Sequence, residues 1–228
     1  WAARDSIQGL EVVAKFVSED LLLDDDARFA FVQGIEMFTS RTVAGCVLPQ
    51  DVAVHGSLAF VITPRVNAVS LRSVIEARRA RREGFTPDEA LRVLLSLVGA
   101  TQALHSATPH GSLRPENVLL SRKGLFLTDC VTGVCVPPDR IVHAAGDWPT
   151  VMPYLAPEVL RGRRPTASAD LFALGAIAVE LLGGHSSDEA QALLAGPTRS
   201  IAVKAGEVVD GQWRVDQVGA SQLSLTWL

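Results

Sequence analysis

The sequence predicts an α+β chain: strand-rich over about residues 1–63, mainly helical over about 64–196, and β-rich again in a tail over 197–228. Three observations carry this. Short apolar, β-branched runs such as Val12-Val13-Ala14 and Leu58-Ala59-Phe60-Val61-Ile62 occupy the start and are bounded by turn residues. Longer segments with helical spacing of apolar residues, ending at His105 and Leu182, dominate the middle. After about Gly196 short strand-like runs return, two of them flanking Asp210-Gly211, a favoured hairpin turn pair.

The elements follow in order. Trp1 to Asp5 and Val12 to Val17 read as two strands joined through Ile7-Gln8-Gly9. Asp24-Asp25-Asp26 caps a helix reaching Phe38, because carboxylates favour the positive N-terminal end. Val43 to Ile62 is expected as two strands around Gln50-Asp51, leading to Pro64. Ser70 caps a helix to Arg82. Thr86-Pro87-Asp88-Glu89 is a capping box with proline at the first helical position, opening a long helix that ends at His105. Asp170 to Leu182 is an apolar helix closed by Gly183-Gly184, and Ser187-Asp188-Glu189-Ala190 begins one more short helix.

Composition narrows the function classes. A chain of 228 residues with 48% apolar and 20% charged residues fits a globular protein with a sizeable core. Its net charge of −4 leaves no basic footprint for nucleic acid, and Arg78-Arg79-Ala80-Arg81-Arg82 reads as a solvated helix end. No apolar run reaches the roughly 18 residues of a membrane span. Cys46, Cys130 and Cys135 make no disulfide framework, which points to a reducing, cytoplasmic setting and leaves open whether Cys130 and Cys135 are neighbours in space. His105 and His110 lack the Cys or carboxylate cluster a metal site needs.

The remaining signal lies in ordered motifs: Lys15 in an apolar strand, then His110-Gly111-Ser112-Leu113-Arg114-Pro115-Glu116-Asn117, then Phe126-Leu127-Thr128-Asp129, then Ala156-Pro157-Glu158, then Asp170-Leu171-Phe172-Ala173-Leu174-Gly175. In these motifs and their spacing the sequence resembles the eukaryotic-like (bacterial Hanks-type) Ser/Thr protein kinases, over about residues 1–196. The resemblance implies a bilobal kinase-like fold whose first strands are truncated and whose helical lobe lacks the last helices. It implies that Lys15, Asn117 and Asp129 bind the nucleotide, with Asn117 and Asp129 as the Mg²⁺ ligands, so ATP and Mg²⁺ are the cofactors to expect. The glycine-rich loop over ATP would precede Trp1.

The resemblance also marks replacements. Ser112 stands where the family has its catalytic aspartate, and a neutral hydroxyl is a poor base; losing a positioned base typically costs about 10²–10⁴ in rate. Arg114 replaces the lysine that contacts the transferred phosphate, and Gly111 replaces the arginine that grips a phosphorylated activation segment. Asp129-Cys130-Val131 replaces Asp-Phe-Gly, and Val151 stands in place of the threonine that bonds the aspartate. Val32 or Gln33 falls where the glutamate partner of Lys15 belongs, with Glu36 about a turn late, so that ion pair is expected to be absent. Glu158 and Asp170 are expected to be structural, Asp170 by accepting backbone N–H bonds from the loop. The expectation is a bacterial pseudokinase domain that binds protein partners as a regulatory module, with Mg-ATP as an optional ligand. Its rivals are an active atypical Ser/Thr kinase and a kinase-fold scaffold without nucleotide.

Overall fold

The computed structural model describes residues 2–5, 9–143, 151–183 and the strand segments 191–195, 200–204, 208–209, 213–218 and 223–227. The chain forms two compact units, 1–182 and 183–228.

In the first unit, β1 (Ala2–Arg4), β2 (Glu11–Val17), β3 (Asp51–His55) and β4 (Leu58–Pro64) make an antiparallel sheet in the order β1-β2-β4-β3. Along β4, Ala59, Val61 and Thr63 are buried while their neighbours face outward, the two-residue period of a half-buried strand. Helix α1 (Asp25–Glu36) starts where Asp24 accepts the Ala27 N–H at 2.7 Å. Its Phe31 and Ile35 pack on Val17, Leu22, Val52, Ala59 and Val61, and each fully buried side chain contributes about 1.5–3 kcal/mol.

The β3–β4 hairpin turns at Gly56-Ser57, not at Gln50-Asp51. Gly56 has φ +61°, which suits the first central position of a two-residue hairpin turn. Residues 43–50 form no strand; Cys46 bridges Leu127 alone, with Leu127 N–H to Gly45 O at 2.8 Å and Val47 N–H to Leu127 O at 2.7 Å.

The helical part opens with α2 (Leu71–Ala80), capped by Ser70. Helix α3 (Pro87–His105) carries the reciprocal Thr86–Glu89 capping box. Arg78 is not a solvated helix end: it grips Glu89 with both terminal nitrogens at 2.8 Å and lies over the Phe85 ring at 4.3 Å. The end of α2 passes the start of α3, so the guanidinium meets the capping carboxylate and holds its pKa down to about 2. A small antiparallel sheet, β5 (Val69–Ser70), β6 (Val118–Ser121) and β7 (Gly124–Leu127), leads into α4 (Thr132–Cys135) and α5 (Pro138–His143). α6 (Pro157–Leu160) and α7 (Ala167–Gly183) follow.

The core gathers Leu71, Leu97, Leu104, Leu113, Val118, Leu127, Ile177 and Leu181. Arg72 ties three elements beside it, donating to Glu116 at 2.8 Å, Glu180 at 2.7 Å and the Tyr154 hydroxyl at 2.8 Å. Among the described residues no helix is long and apolar enough to cross a membrane.

In the second unit, β8 (Gln191–Ala195) pairs with β9 (Ser200–Lys204), and β10 (Val208–Val209), β11 (Trp213–Val218) and β12 (Leu223–Trp227) form an antiparallel sheet. Val209 pairs with Trp213, and the expected turn at Asp210-Gly211 lies outside the described residues. The expected helix start at Ser187–Ala190 lies outside the described residues. Strand β8 was not expected; a short apolar run such as Ala192-Leu193-Leu194 has no periodicity of its own, and pairing with β9 decides it.

Candidate functional site

The loop from His110 to Asn117 is held from beneath. Asp170, 1% exposed in the first turn of α7, accepts the backbone N–H of His110 at 2.7 Å and of Gly111 at 2.9 Å, and bonds His105 Nε2 at 2.8 Å. The His110 ring lies 3.1 Å from the Thr128 carbonyl through Nε2 and accepts the Ser112 N–H at Nδ1, 3.3 Å away. That pairing puts the proton on Nε2. Burial drives the His110 pKa below its ordinary value against the opposing pull of Asp170 and Asp129, so the ring stays neutral.

Ser112 sits at the tip. Asn117 Nδ2 donates to the Ser112 carbonyl at 2.8 Å and lies 3.3 Å from its hydroxyl, so Asn117 Oδ1 is the atom that could hold a cation. Lys15 reaches across from β2 and pairs with Asp129 Oδ1 at 2.6 Å and with the Thr128 hydroxyl at 3.0 Å. Glu36 is exposed and accepts from Gln33, Gln33 is itself exposed, and Val32 is half-buried; Lys15 takes its partner from the segment after β7, not from α1. Ser112, Arg114, Asn117 and Asp129 line one cleft of about 570 Å³, with Val151 and Leu155 on its wall. Arg114 Nε and Glu116 Oε2 face each other at 3.9 Å, buried and without a hydrogen-bond partner.

Sequence reasoning missed the part played by α4. An added Cβ on Gly133 would lie 2.4 Å from the carbonyl carbon and oxygen of Gly111, and one on Gly34 would lie 2.7 Å from Cys135 Sγ. The short helix is therefore packed between α1 and the loop at glycine contacts on both sides. Gly111, read as a lost arginine, has φ +79° and no room for a Cβ, which would meet Gly133 C and Val134 N at 2.9 Å. The only signal available was the glycines themselves. The turn into α4 places Asp129 at φ +60° and Val131, at the position of the family glycine, at φ +67°, a conformation uncommon for any side chain and most costly for a β-branched one.

The profile of the family described as the protein kinase domain matches residues 6–194. Over 206 residues the chain is 28% identical to the probable serine/threonine-protein kinase PknB of Corynebacterium glutamicum, which covers 84% of this chain and 30% of that protein. Over 185 residues it is 30% identical to the serine/threonine-protein kinase PkaB of Streptomyces coelicolor, covering 77% of this chain and 43% of that one. The chain thus spans less than half the length of these relatives. Among solved structures it is similar to the PknI kinase domain of Mycobacterium tuberculosis, with a TM-score of 0.61 at 20% identity over 80% of this chain and 68% of that one, a likeness of fold.

Proposed function

The chain belongs to the protein kinase family, and from that premise we propose that this member is a pseudokinase domain, impaired in phosphoryl transfer and working as a regulatory module that binds protein partners. Ser112 carries this reading. The loop beneath it is fully braced by Asp170, His110 and Asn117, yet the group it presents is a neutral hydroxyl within reach of Asn117. A base missing there lowers the rate by about 10²–10⁴. The Lys15–Asp129 pair supports the same reading, because the cation suited to phosphate is already engaged by the carboxylate suited to the metal.

Lys15, Asn117 and Asp129 would still hold Mg-ATP. Mg²⁺ prefers oxygen ligands and takes few from protein, and Asp129 with Asn117 Oδ1 offers that set on one cleft wall. Arg114 would meet the phosphates as a fork of donors. When bound, ATP supplies the phosphoryl group and Mg²⁺ offsets its charge. The persistence of this set favours a second reading, an active atypical Ser/Thr kinase.

The test is a thermal-shift titration with ATP and Mg²⁺ on the full-length protein and on Asp129→Ala, followed by a phosphoryl-transfer assay of wild type and Ser112→Asp. Ligand at about 100 times its Kd adds roughly 2.7 kcal/mol, readily seen. A magnesium-dependent shift lost in Asp129→Ala, with transfer rising about 10²-fold or more in Ser112→Asp, is expected. Wild-type transfer that disappears in Asp129→Ala sinks the pseudokinase reading; no shift at millimolar ATP leaves a kinase-fold scaffold.

A further inference from the structure

Helix α1 carries apolar residues on two sides, and packing covers one of them. Phe31 and Ile35 are fully buried against Val52, Ala59 and Val61 of the four-stranded sheet. Phe29, Gln33 and Met37 follow one another at four-residue intervals and run along another side, where all three are exposed. Phe29 is 68% and Met37 65% exposed, the highest values for large apolar side chains among the described residues, and Leu23, just ahead of the Asp24 cap, is 53% exposed. Aromatic rings and methionine are the side chains enriched where proteins meet.

The start of the same helix is strongly acidic. Glu19, Asp20, Asp24, Asp25 and Asp26 are all exposed, and Arg28, the one cation among residues 19–28, is tied to Asp25 at 2.6 Å and to the Leu22 carbonyl at 2.9 Å. At the far end Arg41 folds back: its Nε donates to the Met37 carbonyl at 3.1 Å and its guanidinium lies over the Phe38 ring at 5.0 Å. Charge therefore selects what can cover this side. A second copy brings the same surplus of carboxylates, and nucleic acid or an anionic membrane brings phosphates that carboxylates repel. A segment with lysines or arginines beside its apolar residues matches both features.

We propose that the exposed side of α1, from Leu23 to Met37, is the docking surface for a basic amphipathic helix of a partner protein. Apolar side chains of the partner lie on Phe29 and Met37, and its lysines or arginines stand over the aspartates at the helix start. Gly34 of α1 packs on Cys135 of α4, which in turn packs on the loop at Gly111, so a partner held there grips the helix that braces the turn after Asp129. This names the partner chemistry of the regulatory module and rests on the reading that the domain binds proteins, not on its loss of phosphoryl transfer.

The probe is a synthetic helix of leucine and lysine, about five turns long with its leucines on one side, and the control is the same peptide with glutamate for each lysine. Titrated against the full-length protein by fluorescence anisotropy, the lysine peptide is expected to bind about ten-fold or more tighter than the glutamate peptide, and to lose about ten-fold in the double variant Phe29→Ser, Met37→Ser. Charge reversal by Asp20→Lys with Asp26→Lys is expected to reverse the preference. Hydrogen–deuterium exchange of the wild type with the lysine peptide is expected to protect residues 23–38, and this map needs no variant to fold. No binding at about 100 µM peptide, equal affinity for the two peptides, or protection confined to another surface overturns the proposal. So does an affinity unchanged in a folded Phe29→Ser, Met37→Ser variant, or a preference unmoved by the charge reversal. Phosphoryl transfer by the wild type sinks the pseudokinase reading alone, whereas lost peptide selectivity sinks this surface alone.

Discussion

The floor of the His110–Asn117 loop and the site above it contrast sharply. Below, Asp170 is buried and bonded to His105, His110 and Gly111, and His110 spends both ring nitrogens on the backbone. Above, Lys15 and Asp129 remain 31% and 25% exposed, Arg114 and Glu116 leave buried polar atoms unbonded, and Val131 holds a left-handed backbone. Breaking a buried charged hydrogen-bond set costs several kcal/mol, whereas partly exposed ion pairs contribute about 1 kcal/mol or less. The loop's position therefore depends on the buried groups beneath it. A serine at position 112 can alter the chemistry while the loop stays in place.

That contrast can be broken most directly at Asp170. Asp170→Ala leaves two buried N–H groups unpaired and is expected to lose about 3–5 kcal/mol in urea denaturation, while Ser112→Ala should lose about 0.5 kcal/mol or less. Equal losses would erase the distinction between floor and site. Next in size is Gly133→Ala, expected to cost about 2–3 kcal/mol because the new methyl meets Gly111 backbone, which cannot swing aside. A neutral result would show that α4 sits free of the loop.

A pH titration sharpens the floor. The folded His110 pKa lies below the unfolded value, so the unfolded chain binds more protons and stability falls as pH drops below about 6.5, by up to roughly 1.4 kcal/mol per unit. Melting temperature against pH gives the slope. NMR of the ring should show no titration through the ordinary histidine range; a normal titration would mean the ring is not sealed beneath the loop.

A smaller effect than at Asp170 or Gly133 is expected at Val131→Gly. Removing a left-handed β-branched residue returns about 1–2 kcal/mol of strain, and losing a fully buried valine costs about 1.5–3 kcal/mol. The net should be a loss of about 1 kcal/mol, below the loss from Val118→Ala, a buried valine in an ordinary strand. If Val131→Gly loses more than Val118→Ala, the turn is not strained.

Local elements were legible because their causes act within a few residues. Asp24, Ser70 and the Thr86–Glu89 pair each bond a backbone group three positions away, and all three helices start where those residues stand. The turn at Gly56-Ser57 was legible too, since glycine followed by serine is a hairpin signal, but the apolar run through Val43–Val47 favours a strand there and moves the expected turn to Gln50-Asp51. The bilobal fold and the roles of Lys15, Ser112, Arg114, Asn117 and Asp129 followed from the resemblance that these motifs carry to the protein kinases.

By itself, then, the sequence determined the helix starts, the strand alternation and which residues replace the family's chemical groups, because each follows from neighbours along the chain. Only the tertiary structure decided that Lys15 pairs with Asp129, that Arg78 clasps Glu89 and that Gly111 touches Gly133. These contacts join residues far apart in sequence or on separate elements. Their distances are set by how α1, α4 and the loop pack against one another, and no local rule reaches that far.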